Sequence, residues 1–216
     1  MRLHPGETEA TGWRVERLSD VVARLRPPGV EGRPVLIAVD GRGGAGKSTL
    51  VRRLRPVVTP SAVVHTDDIA WHQAFFDWAD LLADNVLRPL HRGEAVRFRP
   101  PAWAAHGRPG AIGVPAGVDV VWVEGTGVVR EALAPWFDAA LWVQGDLDEQ
   151  ERRLVARDGD SPGQRRHVAG WLAEELPFLL REQPWRRATL VVDGTARLRH
   201  DPATEVVVGD PDRSAA

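Results

Sequence analysis

The stretch Val35-Leu36-Ile37-Ala38-Val39-Asp40-Gly41-Arg42-Gly43-Gly44-Ala45-Gly46-Lys47-Ser48-Thr49-Leu50 constrains this chain more than any other. An apolar run enters a glycine-rich turn, and the turn enters a helical pattern. Gly41 to Ser48 fits G-x-x-x-x-G-K-[ST], a loop that binds phosphate. The glycines let consecutive backbone N–H groups converge on phosphate oxygens, and the following helix offers its positive N-terminus to the same anion. The pattern makes Gly41, Gly43, Gly44, Ala45, Gly46, Lys47, Ser48 and Thr49 the nucleotide-binding residues of an ATP site. Lys47 is expected to reach the β- and γ-phosphates, and the Ser48 hydroxyl to ligate Mg²⁺.

Composition sharpens this reading. Of the 28 basic side chains, Lys47 is the lone lysine, and the rest are arginine. It sits where a compact ammonium suits a phosphate cradle better than a planar guanidinium. With 216 residues the chain is expected to form a single domain, 1–216. A net charge of −2 offers no global attraction to nucleic acid or to an anionic membrane. The absence of cysteine excludes disulfides and thiolate chemistry. No apolar run approaches the ~20 residues that span a bilayer, and Met1 to Thr11 has no apolar core, so a cytoplasmic protein is the expectation. A homo-oligomer stays open.

Trp13 to Leu25 reads as an amphipathic helix, with Leu18, Val21, Val22 and Leu25 on one face. Short apolar strands are expected at 35–39, 62–65, 118–123, 139–143 and 189–192, with a small edge strand at 206–208. The phosphate-loop helix should run from about Gly46 to Arg55, where Pro56 stops it. The Pro- and Gly-rich residues 97–117 read as irregular loop, 167–182 as a helix interrupted near Pro177, and the tail 210–216 as disordered. Strands alternating with helices predict a three-layer α/β/α sandwich around a five-stranded, mostly parallel sheet.

Ligands of such sheets sit at the carboxyl ends of the strands. There the sequence puts Asp67 and Asp68 after the second strand and Glu124 after the third. Glu124 suits Mg²⁺, directly or through water. Asp67 suits a base that orients an acceptor hydroxyl and receives its proton, with Asp68 as its alternate; Asp67 is also a candidate metal ligand. Arg152, Arg153 and Arg157 ride a charged helix whose glycine-containing continuation makes a lid over about 148–166. Arg153 and Arg157 are its candidate catalytic residues. Trp71, Trp78 and Trp103 flank the acceptor region over about 71–117 and offer flat faces to a planar substrate.

This order of parts resembles the uridine kinase and phosphoribulokinase branch of the P-loop kinases, over roughly residues 35–196. The matching pieces are Thr66-Asp67-Asp68, Phe76-Asp77, Glu124-Gly125, Arg152-Arg153, Arg157-Asp158 and Asp193-Gly194. The resemblance implies the P-loop NTPase fold and ATP-dependent phosphorylation of a small-molecule hydroxyl, often that of a nucleoside. It implies acceptor contacts at Asp77, Trp103, His106 and Arg157. The sequence carries Pro101-Ala102-Trp103 where the family has Pro-x-Tyr-Asp, and Ile69-Ala70 stand before Trp71. Other readings are a kinase of a sugar, an antibiotic or a pantothenate-like alcohol, and a non-catalytic nucleotide-binding regulator. A GTPase is opposed by the lack of a second lysine for an Asn/Thr-Lys-x-Asp motif.

Overall fold

The computed structural model describes residues 1–195 and 197–213. The strands are β1 (Thr11–Arg17), β2 (Val35–Gly41), β3 (Ser61–His65), β4 (Val96–Phe98), β5 (Ile112–Val114), β6 (Val120–Glu124), β7 (Ala139–Gln144), β8 (Leu190–Asp193) and β9 (Glu205–Asp210). The helices are α1 (Leu18–Leu25), α2 (Lys47–Leu54), α3 (Thr66–Ala70), α4 (Ala79–Leu82), α5 (Arg88–His91), α6 (Pro101–Ala105), α7 (Leu147–Asp158), α8 (Pro162–Glu182) and α9 (Pro184–Arg187). A π-helical turn, Ala83–Leu87, joins α4 to α5.

Seven strands form the main sheet, in the order β1-β9-β8-β7-β2-β6-β3. The five from β8 to β3 are parallel neighbours, and β9 and β1 extend them antiparallel. The sheet therefore has seven strands where five were expected, and its parallel part is five of them. The run 206–208 is not an edge: β9 lies between β8 and β1, with Val206, Val207 and Val208 buried.

β2 sits at the centre, and alternation along it feeds two cores. Val35, Ile37 and Val39 pack with α1 and α2, whereas Leu36 and Ala38 pack with Ile69, Trp78, Leu82, Val86 and Leu90. A third cluster, with Trp142, Phe178, Leu179 and Trp185, fixes the end of α8 to the sheet.

Three local expectations need correction. The helix expected over 13–25 begins only at Leu18, because Thr11–Arg17 finds a ladder partner in β9. Residues 97–117 carry structure: β4 and β5 pair, and Pro101 starts α6, where a missing N–H costs little. α8 runs unbroken through Pro177, with Phe178 and Leu179 buried just beyond it. Of the tail expected to be disordered, Asp210 closes β9 and 214–216 lie outside the described residues.

Candidate active site

The phosphate loop leaves β2 between two parallel neighbours, β6 and β7. Gly44 and Gly46 adopt φ of 74° and 105°, conformations that turn successive N–H groups to one side. A Cβ on Gly44 would lie 2.6 Å from the carbonyl oxygen of Gln150, so the loop can pass under α7 only as glycine. Lys47 Nζ donates to the carbonyls of Gly41 at 2.8 Å and Arg42 at 3.0 Å and to Thr126 Oγ1 at 3.1 Å. None of these acceptors is a carboxylate, so the ammonium charge remains available to an anion. The glycine-rich cradle and its cation, which forms no ion pair with a carboxylate among the described residues, fit a nucleotide phosphate. Thr49 Oγ1 accepts from Arg52 Nη2 and turns away to its own helix.

Asp40, the last residue before the loop, is fully buried. Its carboxylate accepts N–H bonds from Gly41, Gly127 and Val129 at 2.7–2.8 Å, which shapes the turn after β6 around the loop. Burial pushes its pKa up to about 6 against these bonds and the charge of Lys47. Arg42 is buried too, between Glu7 (3.1 Å) and Glu175 (3.5 Å).

Parallel register puts His65 of β3 and Val39 of β2 on either side of Glu124 in β6. Ser48 Oγ donates to Glu124 Oε1 at 2.8 Å, and His65 Nδ1 lies 2.6 Å from the same oxygen. Burial alone would raise the Glu124 pKa, but His65, Ser48 and Lys47 outweigh it and hold the group below the usual range. The bond to Glu124 raises His65 correspondingly. An ionised carboxylate beside a hydroxyl offers hard oxygen ligands that fit Mg²⁺. Among the described residues no cluster of three or more His, Cys, Asp or Glu could cage a metal alone.

Asp67 is exposed on the first turn of α3, two residues beyond His65. Among the described residues its carboxylate makes no hydrogen bond or ion pair. Its charge does act on Arg157: the bond to Asp158 raises the Arg157 pKa first, and Asp67 adds to it. Arg157 is held by Asp158 at 2.7 Å, and Arg153 by Glu149 at 2.8 Å, with Arg153 Nη1 3.4 Å from the carbonyl of Gly44. Asp146 caps α7 by accepting from Asp148 N–H, and Gly159 ends it, so this arginine-bearing helix is set down directly on the loop.

On the acceptor side the sequence candidates Trp71, Trp103 and His106 come together. The His72 and His106 rings stack at 4.0 Å, and Trp71 meets both edge-on, at 4.3 and 5.7 Å. Trp103 is buried, and its indole N–H donates to the Asp68 carbonyl at 2.8 Å. Its face carries Arg108 at 3.7 Å, and Arg108 also pairs with the Asp68 carboxylate. Asp77 stands apart from these rings, exposed and without a side-chain partner among the described residues. Trp78 is core instead of pocket, under Arg130.

Several residues escaped the sequence reading. Asp40 left a signal, an acid closing an apolar run. His65 left one as the polar end of an apolar run, but not its partner Glu124, 59 positions away, and Thr126 and Arg108 left none, since their partners lie 79 and 40 positions away.

No protein-family model matches the sequence, and no curated protein sequence matches it. Solved structures do match. One described as a possible uridine kinase from Bacillus stearothermophilus shares 18% identity at a TM-score of 0.54, covering 81% of this chain and 94% of that one. A D-glycerate 3-kinase from Cryptococcus neoformans gives 15% and 0.55, over 82% and 92%. The chain shares the α/β fold of these structures, with its mostly parallel central sheet. A structure described as a "putative fructose transport system kinase", from Silicibacter, shares the fold at 22% identity and a TM-score of 0.52, over 74% of this chain and 90% of that one. Among the described residues no helix is long and apolar enough to cross a membrane.

Proposed function

We propose that the protein is an ATP-dependent phosphotransferase that moves the γ-phosphoryl group to a hydroxyl of a small molecule. The observation that carries this reading is the unpaired carboxylate of Asp67. It follows β3, which β6 alone separates from β2 and the cradle of Lys47, and its charge is felt by Arg157 on the lid.

Asp67 would orient the acceptor hydroxyl and take its proton as the oxygen bonds to phosphorus and ADP leaves. Lys47, Arg153 and Arg157 would balance the charge on the transferring group. Ser48 and Glu124 would hold Mg²⁺, which neutralises phosphate charge. The names of the neighbours differ in acceptor, so the fold does not choose one. The rings of Trp71, His72 and His106 favour a planar acceptor, and a nucleoside is the first class to test, with Asp77 as a partner for its hydroxyls.

The test is ADP release from ATP·Mg²⁺ with nucleosides, sugars and pantothenate-like alcohols. One acceptor should raise the rate far above background. Asp67→Asn should then lower turnover by about 10²- to 10⁴-fold while ADP binding stays unchanged. Wild-type turnover in that variant would remove Asp67 from the base role.

A further inference from the structure

Arg130 is 5% exposed, yet among the described residues no carboxylate pairs with it. Its Nε donates to the Gly127 carbonyl at 2.5 Å and its Nη1 to the Phe76 carbonyl at 2.6 Å. Its Nη2 is buried without a hydrogen bond. The guanidinium carbon lies 4.2 Å from the ring centre of Trp78, 4.7 Å from Phe178 and 5.9 Å from Phe76. Burial lowers its pKa to about 10, so it stays charged at neutral pH. Burying a cation is costly; the charges of Asp40 and Glu182 offset part of that cost, and aromatic faces and carbonyl oxygens return a further part. A core filler would be served better by an apolar chain of the same length.

Its two hydrogen bonds join segments that are distant in sequence. Gly127 belongs to the turn that Asp40 organises, where Thr126 touches both Lys47 and the Gly41 carbonyl. Phe76 immediately precedes Asp77 and is held at a φ of 61°, a left-handed conformation that a bulky residue rarely takes. Phe76 also stacks on Phe178 of α8 at 3.9 Å. The guanidinium therefore bridges the turn beside the phosphate lysine and the carbonyl in front of a free carboxylate.

We infer that Arg130 is a positioning residue: it pins the Phe76–Asp77 peptide to the turn 125–130 and so sets where Asp77 meets the acceptor. The inference rests on the kinase reading, with Asp77 on the acceptor side.

The experiment compares Arg130→Met and Arg130→Lys with the wild type. Arg130→Met keeps the length of the chain but leaves the Gly127 and Phe76 carbonyls without their donor, so the Met variant should fold with a melting temperature lowered by a few degrees. Its KM for uridine, or for whichever alcohol of the panel is turned over, should rise at least about tenfold, because small misplacements of binding groups are costly. ADP affinity by calorimetry should stay within about twofold, and the Lys variant should recover part of the acceptor KM. An unchanged acceptor KM, or equal losses for ADP and acceptor, overturns the inference. If the Met variant does not fold, the Lys variant decides it, by a smaller rise of acceptor KM alone or by none. If the wild type turns over no acceptor, the kinase reading falls and amide exchange decides the pin. Faster exchange confined to 72–78 supports it, and unchanged exchange there overturns it.

Discussion

Gly125 follows Glu124 at the end of β6, and a Cβ there would stand 1.7 Å from Thr66 Oγ1 and 2.9 Å from Thr66 Cβ. Thr66 starts α3 and immediately precedes Asp67. The glycine beside the acid is therefore needed for close approach, and the approach holds the start of α3, with Asp67, against the end of β6. Gly125→Ala should cost about 1–3 kcal/mol through overpacking and displace the start of α3. Thr66→Ala in that background should recover only part of the loss, since the Cβ contact remains. Urea denaturation of the single and double variants measures both effects.

At the scale of elements, β2 and β7 are brought into register by one ion pair. Asp138, just before β7, accepts from Arg33 at 2.7 and 2.8 Å and from the Leu36 amide at 2.8 Å. Burial would raise the Asp138 pKa, but Arg33 and the amide prevail and hold it below the usual value. The sign follows: a folded pKa below the unfolded one contributes stability above about pH 4, lost as pH falls through the folded value. Asp138→Asn should cost about 1.5–3 kcal/mol at pH 7, with the difference from wild type shrinking below about pH 4. Denaturation midpoints from pH 7 down to pH 3 check it. The central strands β2, β6, β7 and β8 were legible because nearly all their residues are buried apolar ones. The helix of 13–25 misled because the ladder that makes Thr11–Arg17 a strand comes from β9, nearly two hundred positions away.

Across the whole molecule, Glu7 of the N-terminal arm, Arg42 of the phosphate loop and Glu175 of α8 form a buried cluster. The arm also runs past the start of α7, where Arg2 N–H donates to Asp146 and Leu147 N–H to the Arg2 carbonyl. One cation between two acids leaves little margin. Arg42→Met should cost about 3–5 kcal/mol by leaving both carboxylates buried and uncompensated. Adding Glu7→Gln and Glu175→Gln should restore much of that loss. Thermal and urea unfolding of the single and triple variants test the prediction.

The phosphate loop, the acids at the strand ends and the arginine helix could be read from the chain because each is a local pattern: a spacing of glycines, an acid closing an apolar run, charges one turn apart. The parallel layers followed from the alternation of strands and helices. Only the tertiary structure decided which side chains meet. It linked Ser48 and His65 through Glu124, left Asp67 without a hydrogen bond or ion pair among the described residues, put Arg108 on Trp103 and buried Arg130 against Phe76 and Trp78. Those pairings depend on strand order and helix docking, which bring together residues tens of positions apart. Local sequence encodes the turn that can hold a phosphate, and the packing of distant elements sets what stands around it.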